Sequence, residues 1–184
     1  MNIATGAATP IGGAMTWLPN AVVELIDAAL VAELTCVRAD GRPMTYPLIP
    51  LWDGEKILMT SSILFSRKLE HLKANPHVSL AFSDPIALQG NEARATVQGI
   101  ARVIDADPHT GWEHVLPIWE AKEPVIRAFL KARVAFPLFF ERAVIEITPL
   151  RAIIWPDGDT SLAPLITQAP ADKDAAPTPL TKVA

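Results

Sequence analysis

The stretch with the clearest chemistry is Thr60-Ser61-Ser62, followed four residues on by Ser66-Arg67-Lys68. The hydroxyls fall at the end of an expected strand and the cations in the first turn of an expected helix. The helix macrodipole is already positive there, so cations alone are badly placed. A bound anion reverses that sign. Free backbone N–H groups, hydroxyl donors and two positive side chains would then converge on one charge. Phosphate is the natural candidate, with Arg67 offering a planar fork and Lys68 a compact charge. The competing reading is that Arg67 and Lys68 point into solvent, at a cost of only about 0.3–1 kcal/mol against the dipole.

Other reactive residues point less sharply. His71, His77, His109 and His114 are scattered, without a His-x-x-x-His pair or a Cys/His cluster, which argues against a structural zinc site. His71 lies one turn after Arg67 and could approach the same anion, although a surface histidine is the simpler reading. Trp112, Trp119 and Phe129 could roof a flat ligand, but aromatics at helical spacing more often fill a core or an interface. Cys36 falls in a strand and reads as buried and inert. Asp105 and Asp107 read as a strand end and a helix cap rather than a catalytic carboxylate pair. No serine has the strand–turn–helix context of a nucleophile elbow.

Composition narrows the setting. The chain has 184 residues, half of them hydrophobic, and a formal net charge of -4. That suits one domain with a sizeable core, plus apolar surface for an oligomer interface. Mild acidity argues against nonspecific nucleic-acid binding. The single cysteine excludes an internal disulfide framework, and a reducing, cytoplasmic compartment is the simplest setting. Residues 1–15 lack the basic and apolar regions of a signal peptide, and no charge-free apolar run is long enough for a membrane helix.

The elements that must position Thr60 to Lys68 read mostly as strands. Residues 1–16 form a loose arm, and a helix follows Pro19, with Val22, Val23, Leu25, Ile26 and Ala29 on one face. Strands are expected over 31–39, 43–52 and 56–60. They are separated by Asp40-Gly41 and Asp53-Gly54, two hairpin signals that argue for an antiparallel sheet or barrel. Pro47 and Pro50 should sit at an edge, a bulge or a strand end. Ser66 can cap a helix to about Ala74, ended by Asn75-Pro76. Strands over 77–83 and 93–104 come next, then a helical insertion over 107–133. The chain closes with two strands, 143–148 and 152–155. Residues 159–184, rich in Ala, Pro and Thr, read as a flexible tail beyond a domain spanning 17–158.

This order of motifs resembles the FMN-binding split barrels of the pyridoxamine 5′-phosphate oxidase-like superfamily, in particular the branch of flavin- and deazaflavin-dependent oxidoreductases. The resemblance rests on the Asp-Gly hairpins, the Pro-containing strand, Thr60-Ser61, Ser66-Arg67-Lys68 and Asn75-Pro76. It also rests on Val97-Gln98-Gly99-Ile100-Ala101, and on Ile145-Glu146-Ile147-Thr148-Pro149 with Trp155. It covers roughly residues 20–156 and implies a mainly β fold: a six-stranded antiparallel split β-barrel with flanking helices, as a homodimer with its cofactor at the subunit interface. By the same resemblance, Arg67 and Lys68, with Ser66, hold the cofactor phosphate. Thr60 and Ser61 line the phosphate and ribityl chain, and Leu48, Ile49 and Pro50 lie beside the ring. Gln98 and Trp155 reach it from the facing subunit.

FMN is the first expectation and coenzyme F420 the alternative, with hydride or electron transfer to a small organic substrate as the activity. A non-catalytic carrier of flavin, deazaflavin or heme is the competing class, and a cofactor-free interaction domain a third. Pyridoxamine phosphate oxidases are expected to carry an Arg-x-His pattern after the final Trp. Here Trp155 is followed by Pro156-Asp157-Gly158-Asp159, which argues against vitamin B6 oxidation.

Overall fold

The computed structural model describes residues 17–64, 66–132 and 139–170. The expected N-terminal arm and the last part of the expected tail lie outside them. Helix α1 (Asn20–Ala28) begins directly after Pro19, whose carbonyl accepts from the Val22 and Val23 N–H groups. Strands β1 (Ala32–Val37) and β2 (Pro43–Leu48) form the first hairpin, with Gly41 at φ 80°. Then come β3 (Leu51–Trp52), β4 (Ile57–Ser62), α2 (Arg67–Ala74), β5 (His77–Phe82) and β6 (Arg94–Ile104). The insertion holds a 3-10 turn (Glu113–Val115), α3 (Leu116–Lys122) and α4 (Ile126–Lys131). Strands β7 (Arg142–Trp155) and β8 (Leu165–Gln168) follow.

All pairings are antiparallel, and the sheet runs β2-β1-β5-β6-β7-β4-β3, with β8 added beside β7. Its two terminal strands, β2 and β3, are neighbours in sequence, joined only by Ile49 and Pro50. Three Cα steps span at most about 11 Å, so the sheet must curl until its two edges nearly meet. That is a split barrel.

Three expectations are corrected. The strand expected over 43–52 breaks at Ile49-Pro50, because the chain changes sheet edge there and Pro50 has no N–H for a ladder. Pro47 stays inside β2, which tolerates it as an edge strand. The two closing strands are one 14-residue strand: Pro149 and Leu150 are absorbed by a bulge opposite Gln98 and Gly99. A Cβ on Gly99 would lie 2.4 Å from the Thr148 carbonyl oxygen, so the bulge needs glycine there. Finally, part of the expected flexible tail is ordered as β8, paired with Arg151–Ile154 of β7. Eight strands result instead of six.

Side chains alternate between two cores. The barrel interior is filled from α1 (Val22, Leu25, Ile26), α2 (Leu69, Leu72) and the inward strand residues Leu34, Cys36, Ile57, Met59, Leu80, Val97, Ile145 and Ile147. A second cluster lies outside the barrel wall, where Leu58 and Val144 meet Trp112, Val115, Trp119, Ile126 and Phe140. Strand β4 and the start of β7 are therefore covered on both faces, which explains their unbroken burial. No helix among the described residues is long and apolar enough to cross a membrane.

Candidate functional site

Strand β4 ends between the two cores, and the period of two sends its last residues opposite ways. Ser61 pairs with Ala143 and faces the barrel interior; Thr60, aligned with Val144, faces the insertion, and Ser62 stands at the strand end opposite Arg142. Both Thr60 and Ser61 are buried, so each hydroxyl needs a partner.

Ser61 finds its partners on the following helix. Ser66 stands at the N-cap position but makes no capping hydrogen bond; its hydroxyl lies 3.1 Å from that of Ser61. The Lys68 ammonium donates to Ser61 Oγ at 2.9 Å and lies 5.5 Å from the centre of the Tyr46 ring. The two neighbouring cations therefore part company. Lys68 turns inward and is half-buried, while Arg67 stays exposed at the mouth of the same cleft. That cleft has a volume of about 390 Å³ and is lined by Tyr46, Ser62, Leu64, Ser66, Arg67 and Lys68. Burial, and then the nearby Arg142 charge, hold the Lys68 pKa below its ordinary value.

Thr60 is bound by a residue that motif reading passed over. Arg142, the first residue of β7, donates from Nε and Nη2 to Thr60 Oγ1 at 3.1 and 2.9 Å, and from Nη1 to the Phe139 carbonyl at 2.9 Å. Its guanidinium lies over the rings of Trp119, at 5.1 Å, and Phe139, at 4.6 Å. Arg142 is only 8% exposed, and burial pulls its pKa down to about 10. Beside it opens a second cleft, of about 270 Å³, walled by Leu48 and Ile49 from the barrel seam and by Trp119, Ile126, Phe129 and Phe139, with Thr60 and Arg142 between. The signal in the sequence was slight: one cation directly before the apolar run of β7, which ordinarily reads as a solvent-facing strand end.

Another missed residue holds this cleft in shape. Lys122, at the end of α3, donates to the Ile26 carbonyl at 2.5 Å and to the Pro50 carbonyl. It ties the insertion to α1 and to the seam between the two sheet edges. Pro50 is thus buried behind the cleft wall, whereas Leu48 and Ile49 form that wall.

Gln98 and Trp155 lie elsewhere within the chain. Gln98 is exposed at the bulge of β6, paired with Ser79 and Arg151. Trp155 pairs with Arg94 at the far end of β7, where its Nε1 donates to the Leu162 carbonyl. It stands eleven residues beyond Val144, roughly 37 Å of strand. Neither joins the two clefts within the chain. Of the other residues weighed, Trp112 is core, with Nε1 donating to the Phe140 carbonyl, while Trp119 and Phe129 wall the cleft. Cys36 is buried in β1. Asp107 accepts from the His109 and Thr110 N–H groups, and Asp105 pairs with Lys73. Among the described residues, no cluster of His, Cys, Asp or Glu could hold a metal ion.

The two clefts adjoin. Tyr46 and Ser62 belong to the polar one; Pro47 and Thr60, on the same two strands, belong to the apolar one. Two residues along a strand span about 7 Å. The pair suits an elongated ligand with an anionic end and a flat apolar end. Among the described residues, no carboxylate forms an ion pair with Arg67, Lys68 or Arg142. For Arg142, buried, and Lys68, half-buried, meeting only neutral acceptors is costly, and an anionic ligand would relieve that cost; Arg67 stands exposed at the mouth of the cleft. The residues present therefore fit a phosphate-bearing ring cofactor.

The comparisons agree with the fold. The sequence profile of the pyridoxamine 5′-phosphate oxidase family matches residues 18–155. The chain belongs to that family. Among solved structures, an FMN-binding protein related to pyridoxamine 5′-phosphate oxidase, from Nostoc punctiforme PCC 73102, is similar at 14% identity. That match covers 73% of this chain and 81% of the other, with a TM-score of 0.51. The heme storage protein of Vibrio cholerae is 20% identical, covering 70% and 87%, with a TM-score of 0.51. An F420 reductase is 22% identical, covering 70% and 92%, with a TM-score of 0.48. At these identities the likeness is one of fold. No curated protein sequence matches the chain.

Proposed function

We propose that this protein is a cytoplasmic, homodimeric oxidoreductase. It would bind FMN, or alternatively coenzyme F420, at the subunit interface and reduce or oxidise a small organic substrate. The observation that carries this reading is the set of uncompensated cations, Arg67, Lys68 and Arg142, beside a cleft walled by Leu48, Ile49, Trp119 and Phe129. Arg67, Lys68, Ser62 and Ser66 would hold the phosphate, with Ser61 fixing Lys68 from behind. Leu48, Ile49 and the insertion aromatics would hold the ring and exclude water, and Gln98 and Trp155 of the facing subunit would complete the site. When bound, the ring supplies hydride or electron transfer. Pyridoxamine phosphate oxidation is not part of the proposal, because Pro156-Asp157-Gly158-Asp159 offers no Arg-x-His pattern.

A second reading, a non-catalytic carrier of flavin, deazaflavin or heme, is supported by the similarity of the fold to the heme storage protein of Vibrio cholerae. The absorption spectrum of the native protein, with mass spectrometry of what heat releases, tests both readings. A flavin or deazaflavin together with steady-state reduction of enones or quinones supports the oxidoreductase. Tight binding without turnover across such a panel supports the carrier. A colourless protein that binds none of these cofactors sinks both.

A further inference from the structure

The apolar cleft has one feature that shape complementarity to a ring does not require: a buried guanidinium. Arg142 is more than nine-tenths buried and borders the cleft. A guanidinium has five N–H donors. Among the described residues three are used, two on Thr60 Oγ1 and one on the Phe139 carbonyl, and both acceptors are neutral. Trp119 and Phe139 lie against its faces, so the remaining N–H groups act in the guanidinium plane. Among the described residues no carboxylate forms an ion pair with it: Glu123, on the same cleft, accepts from Trp119, and Lys68 adds a second positive charge. The walls are otherwise apolar and aromatic, and a low local dielectric strengthens any charge–charge contact made there.

We propose that Arg142 meets the edge of the bound ring and holds negative charge on it, so that the cleft binds the reduced, anionic ring more tightly than the oxidised, neutral one. This rests on the cofactor reading above and assigns that site a redox preference. Two electrons and one proton taken up by a flavin give a ring bearing one negative charge; a second proton would neutralise it. Arg142 favours the first of these products, which raises the bound cofactor's reduction potential above that of the free cofactor.

The test is anaerobic titration of the apoprotein with FMN and with riboflavin, each oxidised and each reduced by dithionite. Wild type is compared with Arg142→Met, Arg142→Gln and Arg142→Lys, with folding checked by circular dichroism. Wild type should bind the reduced ring at least about ten-fold more tightly than the oxidised one, as expected for a charged hydrogen bond in a buried site. A folded neutral variant should lose that ratio with riboflavin as well as with FMN, and Arg142→Lys should restore part of it. A folded neutral variant that keeps the wild-type ratio overturns the role of Arg142 while leaving the cofactor reading intact. If wild type binds neither FMN, riboflavin nor deazaflavin, the cofactor reading falls and this inference falls with it.

Discussion

The Arg142 guanidinium donates twice to the Thr60 hydroxyl, at 3.1 and 2.9 Å, across the register that pairs β4 with the start of β7. Thr60 is thereby the principal acceptor of a buried cation as well as a residue of the cleft. Thr60→Val keeps the shape and removes the acceptor. Leaving a charged donor short of a partner should cost about 1–3 kcal/mol of stability. Urea denaturation with the slope unchanged checks this; a midpoint equal to wild type would show that the contact contributes nothing.

Lys122 gives a pH-dependent prediction. Burial lowers its pKa from 10.5 to about 8, with Asp27 partly opposing the shift. Between those values the unfolded chain holds the proton and the folded chain does not, so this group's contribution to stability rises with pH from about 8 towards 10.5. The neutral amine retains two N–H donors for the Ile26 and Pro50 carbonyls. Lys122→Met should therefore destabilise the protein by about 1–3 kcal/mol, and by more at pH 10 than at pH 7. Denaturation of both proteins at the two pH values measures the difference, in which shifts of other groups cancel.

Gly99 faces Thr148 at the bulge of β6 and β7. A Cβ there would sit 2.4 Å from a backbone oxygen, which cannot rotate away as a side chain would. Gly99→Ala should cost about 1–3 kcal/mol through forced strand separation. Thermal and chemical unfolding read that cost, and an unchanged stability would mean that the bulge opens freely.

The strand meander was legible because its punctuation is local. Gly41 and Gly54 take positive φ at the two turns that Asp40-Gly41 and Asp53-Gly54 announce. Pro50 was expected at a break, but not that the break carries the chain between opposite sheet edges, which depends on pairings far apart in sequence. Two closing strands were expected, over 143–148 and 152–155; the bulge that joins them into one is set by Gly99, about fifty residues away. Strand β8 was unreadable because its burial pattern is almost wholly exposed, so no apolar alternation marks it. In the candidate site, local spacing brought Ser61, Ser66 and Lys68 together. Arg142 and Lys122 escaped because a cation's burial is decided by tertiary register, and nothing in their sequence neighbourhood distinguishes them from surface residues.

Arg67 and Lys68 are proposed to hold a cofactor's phosphate, and riboflavin, which lacks that phosphate, isolates their contribution. Wild type should bind FMN at least about ten-fold more tightly than riboflavin, as expected for charge-assisted hydrogen bonds to a phosphate. Arg67→Ala combined with Lys68→Ala should abolish that difference while the circular dichroism spectrum stays unchanged. Equal affinity of wild type for the two flavins, or a double variant that keeps its preference for FMN, would contradict the account.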